Sequence, residues 1–245
     1  MKASVTVPSL SEITLEQYQR FLKVQEINKE DEYVLQLKMI EIFCNVDYKD
    51  CRNIKFSDVE KIIEVLTKTF QEKPELVTTF KMGGVEYGFI PNLQEISFGE
   101  YIDLDSFLPS EQDLHRAMNV LYRPITNKAA GKYSIAEYDI DTKEIMKQIK
   151  LDAVLGSLFF SKFRLGVVER YEQLFTGGNG ETTTISAGFG KKWGWYSSIY
   201  ALSQGDIERF ESITSLELDK CLTMLTFMKE KNEAEAQQIK NKQRR

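Results

Sequence analysis

Pro8-Ser9-Leu10-Ser11-Glu12-Ile13-Thr14-Leu15-Glu16-Gln17-Tyr18 returns about 80 residues later as Pro91-Asn92-Leu93-Gln94-Glu95-Ile96-Ser97-Phe98-Gly99-Glu100-Tyr101. The two stretches align without gaps, and five of their eleven positions are identical. Each reads as a device for starting a helix: extended chain from the Pro, an apolar residue (Ile13, Ile96) that staples the turn, then a hydroxyl N-cap. The period is too long and too incomplete for a solenoid. Two readings stay open: two convergent helix starts, or two starts that dock equivalent helices on a common groove.

Outward from these stretches, helix signals dominate. Five capping-box patterns occur, Thr14/Gln17, Ser57/Glu60, Ser97/Glu100, Ser134/Glu137 and Thr214/Glu217. Each would place a hydroxyl on the N3 amide and a Glu or Gln back on the N-cap amide. Apolar residues at helical spacing (Leu15, Tyr18, Phe21, Leu22; Val34, Leu37, Met39, Ile40, Phe43; Val59, Ile62, Ile63, Leu66, Phe70) predict three helices in residues 14–72. Residues 78–90 change to strand chemistry around Gly83-Gly84, a dipeptide suited to the positive φ angles of a two-residue hairpin. Helices are predicted over 98–107 and 111–122, the second stopped by Arg123-Pro124.

Residues 125–142 read as irregular and polar, and Thr142 to Phe175 as one long helix, apolar nearly all round at its middle and therefore buried. Six of the fourteen glycines then fall in residues 177–194, which predicts a loop or linker. A compact helical segment, 193–228, follows, and residues 229–245 read as a solvated helical extension with a net charge of +3. The expected fold is mainly α: a helical bundle with a small β-hairpin and a C-terminal helical segment. The expected divisions are 1–125 (with the hairpin at about 78–90), 126–176, 177–192 and 193–245.

The 245 residues carry 42% hydrophobic and 28% charged side chains and 15 Phe, enough to bury a core, so a disordered chain is not expected. A net charge of −5 leaves no electrostatic footprint for nucleic acid, and direct nucleic-acid binding is not predicted. Three cysteines (Cys44, Cys51, Cys221) do not make a disulfide framework and suggest a reducing compartment. The opening residues lack the apolar run of a signal peptide, and no window resembles a membrane span, so no membrane association is expected.

Chemistry-bearing patterns are sparse. His115, the single histidine, has no local company for acid–base work, and Cys44 and Cys51 lack the partners of a zinc site. Cys44 and Cys221 read as buried or boundary thiols. GGNGETTT misses the lysine of a phosphate-binding loop. Asp103/Asp105 and Asp139/Asp141 lack the remaining ligands of a calcium loop and suit cap and turn roles. No catalytic, cofactor-binding or metal-binding residues are assigned. Trp193, Trp195, Tyr196 and Tyr200 form an aromatic stripe that reads either as core anchoring or as a hot spot for a partner helix.

Tyr87-Gly88-Phe89-Ile90-Pro91-Asn92-Leu93 through Ile96-Ser97-Phe98-Gly99-Glu100-Tyr101-Ile102-Asp103-Leu104-Asp105, with Arg116-Ala117-Met118 and Val120-Leu121-Tyr122-Arg123-Pro124-Ile125, resembles structural-module proteins of tailed bacteriophages, closest to those of crAss-like phages of Bacteroidetes. Gly194-Trp195-Tyr196, Ile199-Tyr200-Ala201-Leu202-Ser203 and Gly205-Asp206-Ile207, with the leucines that follow, are similar to the C-terminal part of phage tail and tape-measure assembly proteins. The resemblance implies a non-enzymatic virion component, such as a head–tail connector, ring or tail protein. It would be made in the cytoplasm of the infected bacterium and contact other virion or tail proteins, as a homo-oligomeric ring. A tail assembly chaperone absent from the finished particle and a packaged cargo protein are the alternatives. Expected interface residues are Trp193, Trp195, Tyr196 and Tyr200, and the ribbon surface of Gly83, Gly84, Phe89, Ile90 and Pro91.

Overall fold

The two related stretches each end up paired to a second, distant stretch, and these pairings organise the chain. The protein was analysed as a computed structural model that describes residues 5–175 and 184–243, with backbone alone over 184–192. The chain divides into two compact units that interleave in sequence: Met1–Pro91 with Phe107–Leu158, and Asn92–Ser106 with Phe159–Arg245. The divisions expected at 125/126 and 192/193 therefore do not bound units, because each unit is closed by contacts across more than a hundred residues.

In the first unit, helices α1 (Leu15–Ile27), α2 (Glu32–Phe43), α3 (Tyr48–Cys51) and α4 (Phe56–Gln71) occupy the region where three helices were expected. Leu37, Ile40, Cys51 and Val59 form a cluster joined by Val46, Ile54 and Ile62. Helix α6 (Leu114–Leu121), also of this unit, stops before Arg123-Pro124, and α5 (Phe98–Phe107), of the second unit, forms as expected.

The hairpin forms as β1 (Thr79–Met82) and β2 (Val85–Phe89), turning at Gly83 and Gly84 with φ of 57° and 78°. It does not stand alone. Strands β3 (Tyr122–Ala129) and β4 (Lys132–Ile135) continue it as an antiparallel sheet in the order β1-β2-β3-β4. Half of the irregular segment expected at 125–142 is thus strand. Its Ile125, Tyr133 and Ile135 are strand formers, and their exposed, polar neighbours concealed the alternation. Tyr122 ties sheet to helices: its ring meets Phe80 and Phe89, and its hydroxyl donates to the carbonyls of Val77 and Ala153.

The single helix expected from Thr142 to Phe175 is broken into a 3₁₀ stretch, Ile140–Gln148, then α7 (Leu151–Ser157), α8 (Phe160–Arg170) and α9 (Glu172–Phe175). Ile149 and Lys150 leave helical geometry where residues 149–151 pair with residues 13–15, which accounts for the first of these breaks. Further along, α10 (Thr184–Leu202) bends at Gly194, and α11 (Phe210–Thr214) and α12 (Leu218–Gln243) follow. Residues 177–183 of the expected loop lie outside the described residues, while 184–192 are helical. Helical geometry there satisfies backbone groups that a glycine-rich composition alone leaves free.

Candidate functional site

Each helix start is completed by a partner that local sequence does not announce. At α1, Thr14 accepts from the Gln17 amide at 3.2 Å while Gln17 Oε1 accepts from the Thr14 amide at 2.9 Å. The Leu15 amide, one of the donors a helix start leaves orphaned, donates to the Ile149 carbonyl at 2.9 Å. In return the Leu151 amide, first in α7, donates to the Ile13 carbonyl at 3.0 Å. The second unit repeats the arrangement. Ser97 and Glu100 form the box, the Phe98 amide donates to the Leu216 carbonyl at 2.8 Å, and the Leu218 amide donates to the Ile96 carbonyl at 2.9 Å.

The partners of the two pairings are themselves related. Residues 139–155 and 206–222 align without gaps, with Asp139/Asp206, Ile140/Ile207, Glu144/Glu211, Leu151/Leu218, Asp152/Asp219 and Leu155/Leu222 identical. Asp139 and Asp206 each cap a 3₁₀ turn, accepting from the amides of Asp141 and Glu208. The chain therefore holds two copies of one device: two helix starts joined head to head by a reciprocal pair of amide–carbonyl bonds. The two starts are structurally equivalent, but each is paired within its own unit, to residues 149–151 or 216–218, and not docked on a common groove.

In the first unit the α1/α7 pair, with α2 and α4, walls an apolar groove of about 410 Å³. Tyr18, Phe21 and Leu22 of α1 and Val154, Leu155 and Leu158 near α7 are among its lining, Phe43 and Phe70 meet edge-on at 4.9 Å between centroids along it, and Glu111 is its charged lining residue. In the second unit Trp195 of α10 meets Phe98 and Tyr101 edge-on at 5.7 and 5.8 Å. Its indole N–H donates to Asp105 Oδ2 at 2.9 Å, and Asp105 also pairs with Arg164. Burial, with Asp105 beside it, pushes the Tyr101 phenol up to about 12.

The expected interface residues divide between surface and core. Trp193, Tyr196 and Tyr200 are exposed, with the Trp193 and Tyr196 rings 5.6 Å apart. Gly83, Gly84 and Pro91 are exposed as well. Phe89 and Ile90 are corrected: they are 4% and 6% exposed, because β2 is an inner strand whose side chains pack on Tyr122 and its neighbours. Trp195 is likewise an internal anchor, half-buried against Phe98 and Tyr101.

The remaining reactive groups are held quiet. His115 is buried, with Nδ1 3.3 Å from Gln19 Nε2. Burial, then Lys147, holds its pKa below the ordinary imidazole value, so the ring is neutral at pH 7. Burial raises the Cys44 and Cys221 thiols to about 11 and leaves them protonated, poor nucleophiles. Among the described residues no group of three or more His, Cys, Asp or Glu could hold a metal ion, and no helix is long and apolar enough to cross a membrane. What the site offers is apolar shape and aromatic side chains. No protein-family model, curated protein or solved structure matches the chain.

Proposed function

We propose that the chain is a non-enzymatic structural component of a tailed-phage virion, a connector, ring or tail protein that acts through protein–protein contacts. The observation that carries the protein-binding part is the coexistence of an open, helix-walled apolar groove with an exposed aromatic face at Trp193, Tyr196 and Tyr200. Exposed apolar patches rimmed by polar residues mark interaction sites. Trp and Tyr supply much of the binding energy where such sites are occupied. The virion assignment rests on the resemblance of residues 87–125 to phage structural-module proteins.

Quantitative mass spectrometry of gradient-purified particles tests this reading. The expected result is a fixed stoichiometry, in small multiples of six, that survives salt washing. Abundance in infected cells with absence from particles would replace it with the assembly-chaperone reading. Variable copy number, with release of the protein into the host on infection, would point to packaged cargo.

A further inference from the structure

Gln19 of α1 is buried, and its side-chain nitrogen lies among three polar atoms. Nε2 donates to the carbonyls of Glu111 at 3.0 Å and Gln112 at 2.9 Å, and it is 3.3 Å from His115 Nδ1. A carbonyl can only accept, so these two fix which end of the amide is turned toward the ring. It is the nitrogen end, and Nδ1 is therefore the unprotonated, accepting nitrogen. The neutral ring carries its hydrogen on Nε2, 3.6 Å from Glu144 Oε1. In return the Gln112 side-chain amide donates to the Gln19 carbonyl at 3.4 Å, so this cluster ties α1 to residues 111–115.

A second proton on the ring has no place in the cluster. It would sit on Nδ1 and set N–H against N–H. Turning the amide over would offer Oε1 to the ring but set it against two carbonyl oxygens, so no orientation of Gln19 serves both the imidazolium and the carbonyls. The charged groups around the ring supply no net attraction for the extra charge. Lys147 and Glu144 act on it from residues 140–148, and Asp113 and Arg116 from its own end of α6, two cations and two anions. Glu144 is already engaged by Lys147 at 2.6 Å, and α1 presents the uncharged Gln19. One turn further along α6 the tie is of another kind. Asn119 donates to the Asp139 carbonyl at 2.7 Å and accepts from the Thr142 hydroxyl at 2.9 Å, bonds that involve no titrating group.

We propose that His115 is a proton-operated latch on α1: the neutral ring closes the helix onto residues 111–115, the imidazolium releases it, and Asn119 keeps α6 on residues 139–142 in both states. Burial, then Lys147, lowers the affinity of the folded ring for a proton, whereas the histidine of the unfolded chain titrates near about 6.5. Stability from the latch is therefore full above that pH and falls as pH drops below it. The loss is at most about tenfold in the folded-to-unfolded ratio per pH unit, and it ends once the folded ring is also protonated.

His115 is the single histidine, so its ring can be followed alone by NMR on the purified protein. The ring nitrogen shifts of the neutral form are expected to place the hydrogen on Nε2, with a titration midpoint below about 6.5. Hydrogen exchange, corrected for the intrinsic rate at each pH, is expected to show protection in α1 falling about tenfold or more between pH values of roughly 7.5 and 5, while Asn119 and Thr142 keep theirs. His115→Gln, uncharged at every pH, should hold the α1 protection level across that range. Gln19→Met keeps the bulk and removes the amide, and it should raise the His115 midpoint by about one pH unit. A hydrogen on Nδ1, a midpoint at or above that of an unfolded histidine, or a midpoint unmoved by Gln19→Met would each overturn the proposal. So would an α1 that loses protection equally in His115→Gln. The tautomer and the midpoint are read on the wild-type chain, so the test stands even where a variant fails to fold.

Discussion

At Gly156 a side chain is excluded by backbone. A Cβ there would lie 2.3 Å from the Glu75 carbonyl oxygen and 3.0 Å from its carbon, neither of which can rotate aside. Gly156→Ala is therefore expected to destabilise the protein by about 3 kcal/mol, the upper end for overpacking. Gly166, inside α8, meets nothing within 4 Å, so Gly166→Ala removes only the conformational penalty of glycine in a helix. It should stabilise by ~0.5–1 kcal/mol. Denaturant midpoints at constant slope would measure both changes. The opposite outcomes at two helical glycines follow from what each faces. The sequence marks Gly156 only by setting it in an apolar stretch, and the crossing of residue 75 behind it is a long-range fact.

The helix starts show which local signals carry weight. Of the five capping-box patterns, Thr14/Gln17 and Ser97/Glu100 form the box. The other three do not: α4 begins at Phe56 with Lys55 as N-cap, Ser134 lies in β4, and Thr214 ends α11 with its hydroxyl turned back to the Phe210 carbonyl. The two working boxes share the preceding Pro-x-Leu-x-Glu-Ile, whose isoleucine is buried in both units. A box pattern is cheap to match by chance, whereas a box behind a buried staple fixes the approach of the chain. Thr14→Ala and Ser97→Ala should each destabilise by ~1 kcal/mol, within the usual range for loss of a side-chain cap. Ser57→Ala, at an exposed position with no cap bond, should stay within about 0.5 kcal/mol of wild type. A thermal or denaturant unfolding series on the three variants would check the contrast. The same comparison explains what was legible. The helices α1, α2, α4 and α5 and the β1–β2 hairpin declare themselves through local periodicity and turn chemistry. The breaks at 149–151 and 216–218 do not, because Lys150 makes no side-chain cap bond and the bonds that shape both breaks come from residues 13–15 and 96–98.

Across the whole molecule the four stretches occur in the order first start, second start, first partner, second partner. A cut at 125/126 would therefore leave both helix starts on one fragment and both partners on the other. That interleaving is why composition-based boundaries fail here, and why one member of the repeat was visible in sequence while its significance was not. The aromatic stripe was divided for a related reason. The spacing places Trp193, Trp195, Tyr196 and Tyr200 together, but the bend at Gly194 and the demand of the α5 face decide that Trp195 turns inward. Ile13 and Ile96, at matching positions and fully buried, allow the two units to be perturbed separately. Ile13→Ala and Ile96→Ala should each remove ~2–5 kcal/mol from the unit that contains it. Because each unit has its own buried core, scanning calorimetry is expected to show one transition moving to lower temperature in Ile13→Ala and a different one in Ile96→Ala. Additivity should hold in the double variant, as it does for substitutions without shared partners. A single transition displaced equally by either change would mean that the units unfold as one cooperative body. In that case the two pairings would act as a common lock on the chain rather than as two copies of a self-contained device.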